Sequence, residues 1–175
     1  MEAVVLFCKL CKNSMQFLGF WRELFVNKFT TINHTIGVTP VPTLQLRIAP
    51  LQNPERYAAL AQALTELTAR VLGKCPGVTA VLIDDLPAAR WYIGAQASTQ
   101  PTALLQIDIT AGTNTEAEKA RFVAQAFAEL ERQLGAGQTL APASYVMVRE
   151  LPATDWGYGG CTQAARRHAL EATGA

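Results

Sequence analysis

The chain states one pattern twice. The run Val81-Leu82-Ile83-Asp84-Asp85-Leu86-Pro87-Ala88-Ala89-Arg90-Trp91 returns as Val146-Met147-Val148-Arg149-Glu150-Leu151-Pro152-Ala153-Thr154-Asp155-Trp156, with the apolar positions, the Leu-Pro pair and the tryptophan in register (156 − 91 = 65). Gly94 and Gly159 keep that offset. Upstream, Pro42-Thr43-Leu44 answers Pro101-Thr102-Ala103, and Leu72-Gly73 answers Leu134-Gly135, so the second copy carries the longer loops. A repeat of this size is one supersecondary unit that cannot bury its apolar face alone, so the two copies are expected to pack together as one domain spanning 42–160.

Each copy reads as strand, helix, strand. Thr43-Leu44-Gln45-Leu46-Arg47-Ile48 alternates apolar and polar residues as a half-buried strand does. Asn53 is placed to cap a helix beginning at Pro54, in which Tyr57, Leu60, Leu64, Leu67 and Val71 recur at helical spacing before Gly73. In the second copy Leu104 to Ile109 is the strand, Thr115 with Glu118 forms a capping box, and Val123, Phe127, Leu130 and Leu134 make the apolar stripe. Thr79–Asp84 and Tyr145–Arg149 close the two units. A helical crossover makes the flanking strands parallel and the connection right-handed, which sets both helices on one face of a four-stranded sheet. The fold class is therefore α+β, from duplicated β-α-β units. The opposite sheet face needs a cover, and with no further element read in the chain, association of copies supplies it.

Composition narrows the function. Half the residues are apolar and the formal net charge is +1, so nothing in the charge balance favours nucleic acid as a partner. No apolar run reaches the roughly 20 residues of a membrane helix, and residues 1–41 lack the apolar centre and cleavage site of a signal peptide, so a cytoplasmic protein without a membrane partner is expected. Cys8 and Cys11 form a lone Cys-x-x-Cys without a second zinc pair or the flanks of a redox domain. His34 and His168 lie outside the repeat, so no metal site and no histidine-based nucleophile is expected within it.

The ordered set of Pro42-Thr43, a helix starting about a dozen residues later, and the endings Trp91-Tyr92-Ile93-Gly94-Ala95 and Trp156-Gly157-Tyr158-Gly159-Gly160 resembles the tautomerase superfamily. That superfamily includes 4-oxalocrotonate tautomerase, the cis-chloroacrylic acid dehalogenases, malonate semialdehyde decarboxylase and macrophage migration inhibitory factor. The resemblance implies a homotrimer and a cofactor-free isomerase acting on a small 2-oxo or enol carboxylic acid, with an amino-terminal proline as general base and acid. Pro42 holds the matching position. It is internal as numbered, and an internal prolyl nitrogen is an amide without useful basicity. The expectation is therefore that residues 1–41 are an upstream extension of the catalytic species, through a bacterial start at the Val41 codon or through processing, and that residues 161–175 form a tail. Were residues 1–41 retained, an inactive oligomeric binding protein would be the alternative; dehalogenation or decarboxylation is the alternative chemistry.

The resemblance also implies substrate-binding roles. Relatives often carry an arginine where this chain has Gln52, so the substrate carboxylate needs another cation. Tyr145 is the candidate donor to an enolate oxygen, and Arg149 the candidate carboxylate holder, set against a salt bridge to Glu150 or Asp85. Trp156 is the candidate aromatic wall beside the proline, set against simple core packing. Pro101, internal from either start, is a strand-opening proline.

Overall fold

The computed structural model describes residues 41–172. The extension 1–40, with Cys8, Cys11 and His34, lies outside the described residues. In chain order the elements are β1 (Thr43–Ala49), α1 (Pro54–Leu72), β2 (Ala80–Asp85), the short strands β3 (Tyr92–Ile93) and β4 (Gln96–Ala97), β5 (Thr102–Thr110), α2 (Glu116–Leu134), β6 (Tyr145–Leu151), the short strands β7 (Gly157–Tyr158) and β8 (Cys161–Thr162), and α3 (Gln163–Ala172). The main sheet has the order β2-β1-β5-β6. Within each unit the strands are parallel, and the two units join through the antiparallel pair β1–β5.

Both long helices begin and end on their local chemistry. The Asn53 side chain accepts the Arg56 N–H, Pro54 opens α1, and Gly73 closes it with φ +65°, where a side chain would be strained. Thr115 and Glu118 form the reciprocal capping box of α2. The helix-facing side of the sheet is built by register. Leu44 lies beside Val81 and Ile107, with Val148 beyond, and Leu46 lies beside Ile83 and Leu105, with Val146 beyond. Against them pack Leu60, Leu64 and Leu67 of α1 and Phe122, Ala126 and Leu130 of α2. The buried stripe of α2 is thus Phe122–Ala126–Leu130–Leu134, one residue round from the expected line; Val123 and Phe127 flank it, because the helix turns its i, i+4 row squarely onto the sheet. The terminal region also differs from a simple tail. Cys161–Thr162 pairs with Gly157–Tyr158, and ten residues of helix follow.

The other face of the sheet carries three cross-strand rows: Ala80–Thr43–Asp108–Arg149, Leu82–Gln45–Gln106–Met147 and Asp84–Arg47–Leu104–Tyr145. Leu82 is 53% exposed, Tyr145 54% and Met147 38%, so this face presents apolar side chains to its surroundings. No described helix is long and apolar enough to cross a membrane.

Candidate active site

Pro42 immediately precedes β1, and its carbonyl accepts the Ala80 N–H at 3.3 Å, which fixes it against the start of β2. It is buried. Strand alternation places Pro42 on the same face as Leu44, toward the helices. At this end of the sheet α1 has just finished, and the residue after its Gly73 cap is Lys74, only 3% exposed. The Lys74 ammonium donates to Thr113 Oγ1 at 2.9 Å, in the loop between β5 and α2. Burial pushes its pKa down to about 8, against the opposing pull of Glu118 and Glu150. Lys74 is the functional candidate that sequence reasoning missed. A lysine after a helix cap is ordinarily solvated; its burial follows only when the α2 loop closes over it. The signal available in the sequence was the divergence of the repeats, which sets Ala136 where the first copy has Lys74.

Arg149 lies at the same end of the sheet but on the opposite face. It sits in the row with Thr43 and Asp108, two strands from β1, or about 10 Å at ordinary strand spacing. Its guanidinium forks onto Asp108, Nε to Oδ1 at 2.7 Å and Nη2 to Oδ2 at 3.0 Å. That bond, first, and the carboxylate's charge hold its pKa above the ordinary arginine value. With its amide oxygen turned toward the guanidinium, Gln106 accepts from the same groups at 3.1 and 2.9 Å. The salt-bridge partner is thus Asp108 rather than Glu150 or Asp85. Glu150 binds Lys119 at 2.8 Å, and Asp85 takes the Gln52 N–H and the Tyr57 hydroxyl.

Tyr145 opens β6 and pairs with Leu104, at the far end of the sheet from Pro42. Four residues of strand, about 13 Å, separate it from the Arg149 row. Trp156 follows the carboxyl end of β6, which is the Pro42 end. It borders an open cleft of about 290 Å³ with Asp155 and Gly160, which Pro42 does not line. Its indole N–H is buried without a partner among the described residues. One chain therefore places Pro42, Lys74, Arg149 and Trp156 at the same end of the sheet and carries Tyr145 at the other.

Residues 42–99, the first repeat, match the family model for the Tautomerase enzyme family. Among solved structures, a wild-type fused 4-OT determined as an asymmetric trimer is 28% identical to this chain, with 70% of this chain and 97% of that one covered and a TM-score of 0.61. A native fused 4-OT is 26% identical over the same shares, with a TM-score of 0.60. A macrophage migration inhibitory factor-like protein from Entamoeba histolytica, 16% identical over 69% of this chain and 97% of its own, shares the fold with a TM-score of 0.58. No curated protein matches the chain in sequence. The duplicated β-α-β sheet is similar to the fused 4-OT structures, and its first half carries the Tautomerase family match. The chain carries two β-α-β units in one polypeptide and is similar in plan to those fused 4-OT structures.

Proposed function

We propose that the chain, in a form whose amino terminus is Pro42, is a cofactor-free tautomerase that moves a proton between oxygen and carbon of a small enol or 2-oxo carboxylic acid. The observation that supports this reading is a strand-opening proline at the end of the sheet where α1 stops and a lysine is buried. A terminal prolyl nitrogen is a secondary amine with an ordinary pKa near 8. Burial favours its neutral, basic form, and the Lys74 charge at the same end of the sheet acts in the same direction. The neutral nitrogen takes the proton from the enol hydroxyl, and the resulting prolinium returns it to the carbon that becomes CH in the keto product. Lys74, charged below about pH 8, is the cation for the substrate carboxylate that Gln52 does not supply. Trp156 closes the site toward water.

The site is completed by association. A homotrimer covers the exposed Leu82, Tyr145 and Met147, and fused 4-OT relatives are trimers. Tyr145, remote from Pro42 in its own chain, then reaches the enolate oxygen of a neighbouring copy's site, while the Arg149–Asp108 pair braces the interface rim. A cytoplasmic location belongs to the same reading.

The deciding experiment compares protein beginning at Pro42 with protein carrying one added residue before it, using enol-to-keto turnover of a 2-oxo acid. The added residue turns the amine into an amide. Full activity in the extended protein rules the mechanism out.

A further inference from the structure

The two repeats share a device that neither motif nor family match singles out. In the first unit, Asp85 at the end of β2 accepts the Gln52 N–H at 3.0 Å and the Tyr57 hydroxyl, tying the loop after β1 to the first turns of α1. In the second unit, Glu150 stands in register with Asp85. Its Oε1 accepts the Gly112 N–H at 3.1 Å and its Oε2 accepts Lys119 Nζ at 2.8 Å, tying the loop after β5 to the first turns of α2. Each unit thus uses a carboxylate at the end of its second strand to hold the loop that follows its first. Only the second clamp lies at the Pro42 end, and only its loop has further work: Thr113, next to the clamped Gly112, receives the Lys74 ammonium, and Asn114 Nδ2 donates to the Leu72 carbonyl at 3.0 Å.

We propose that Glu150 is a positioning residue, which by clamping the Gly112–Asn114 loop fixes the Thr113 hydroxyl that orients the Lys74 ammonium at the Pro42 end of the sheet. The proposal rests on the reading of Lys74 as the substrate-binding cation, but its test does not. Among the described residues, the charged groups acting on Lys74 are Glu118 of α2 and Glu150 of β6, with Lys119 bound to Glu150 and Arg121 acting on Glu118. Both carboxylates raise the lysine's pKa against its burial, and Glu150 is itself held below the usual carboxylate range by Lys119 first and by the Gly112 N–H.

The test uses the full chain and needs no activity. Lys74 is titrated by ¹³C NMR after reductive methylation, with its resonance assigned by its loss in Lys74→Arg, and exchange of the Gly112 amide proton is followed in parallel. Glu150→Ala is expected to speed Gly112 exchange about tenfold, the scale of a lost charge-assisted hydrogen bond, and to lower the Lys74 midpoint. Glu150→Gln, which keeps an acceptor for Gly112, is expected to lower the midpoint while keeping the amide protected. Thr113→Val also lowers the midpoint, and its effect is smaller in the Glu150→Ala background, because both act through one loop. Asp85→Asn, at the other end of the sheet, leaves both readouts unchanged. An unmoved Lys74 midpoint in Glu150→Ala, or strictly additive effects of Glu150→Ala and Thr113→Val, overturns the proposal. Loss of the proposed function would show separately, as a Lys74→Ala variant with unaltered KM.

Discussion

Lys74→Met isolates the cost of keeping an ammonium inside the fold. The side chain is 3% exposed, and its pKa falls from 10.5 to about 8. Between these values the unfolded chain binds more protons than the folded one, so wild-type stability rises with pH through this window and is lowest below about pH 8. The shift of about 2.5 units corresponds to about 3 kcal/mol at 1.36 kcal/mol per unit, an upper value because some hydration survives. By the same linkage the methionine variant's advantage over wild type should shrink by about 1–2 kcal/mol between about pH 7 and about pH 9.5. Other groups that titrate in this range are common to both proteins and cancel in the difference. The constant offset, the lost bond to Thr113 included, cancels as well. Urea unfolding of both proteins at the two pH values and at one protein concentration measures this, since association shifts apparent stability. A difference that does not change with pH would refute the burial argument.

In protein beginning at Pro42, Pro42→Ala should lower turnover about 10²–10⁴-fold with the fold intact, as read by kinetics and circular dichroism. The kcat/KM for a carboxylate substrate should fall as pH rises through about 8, where Lys74 loses its charge, and Lys74→Arg should move that fall to higher pH. If Tyr145 serves a neighbouring copy, mixed trimers of Pro42→Ala and Tyr145→Phe chains should regain activity that neither parent has; parents that stay inactive on mixing would place Tyr145 outside the site. Arg149→Ala should weaken trimers and leave the Asp108 carboxylate without its fork, as sedimentation would show; intact trimers with a raised KM would restore Arg149 to substrate binding. Thr115→Ala should cost about 1 kcal/mol in denaturant unfolding by removing the capping box of α2.

The elements were legible because their signals are local. Asn53, Pro54 and Gly73 bound a helix wherever it packs, and the alternation of β1 and the Trp-Gly repeat need no tertiary information. Parallel pairing within each unit followed from the helical crossovers, which leave the chain no other short return path. Short-range signals could not determine register between units. The antiparallel β1–β5 join sets Thr43 beside Asp108, and that in turn brings Arg149 to Asp108 rather than to Glu150 or Asp85.

The candidate site divides in the same way. The strand-start position of Pro42 could be read from the sequence, and so could the place of Trp156, because its motif recurs. Tyr145 and Arg149 share a strand and a face and stand about 13 Å apart along it; only the assembled sheet decides that the Arg149 end is the Pro42 end. Lys74 is the sharpest case. In the sequence it is a polar residue after a helix, and only the folded chain buries it, because the α2 loop, held by Glu150, closes over the end of α1. The sequence by itself determined the duplicated strand-helix-strand plan, whose signals lie within a few residues of one another. The tertiary structure decided which charges are buried and paired at the Pro42 end of the sheet, because burial and pairing depend on residues 39 to 76 positions away from Lys74 that meet only when the two repeats fold together.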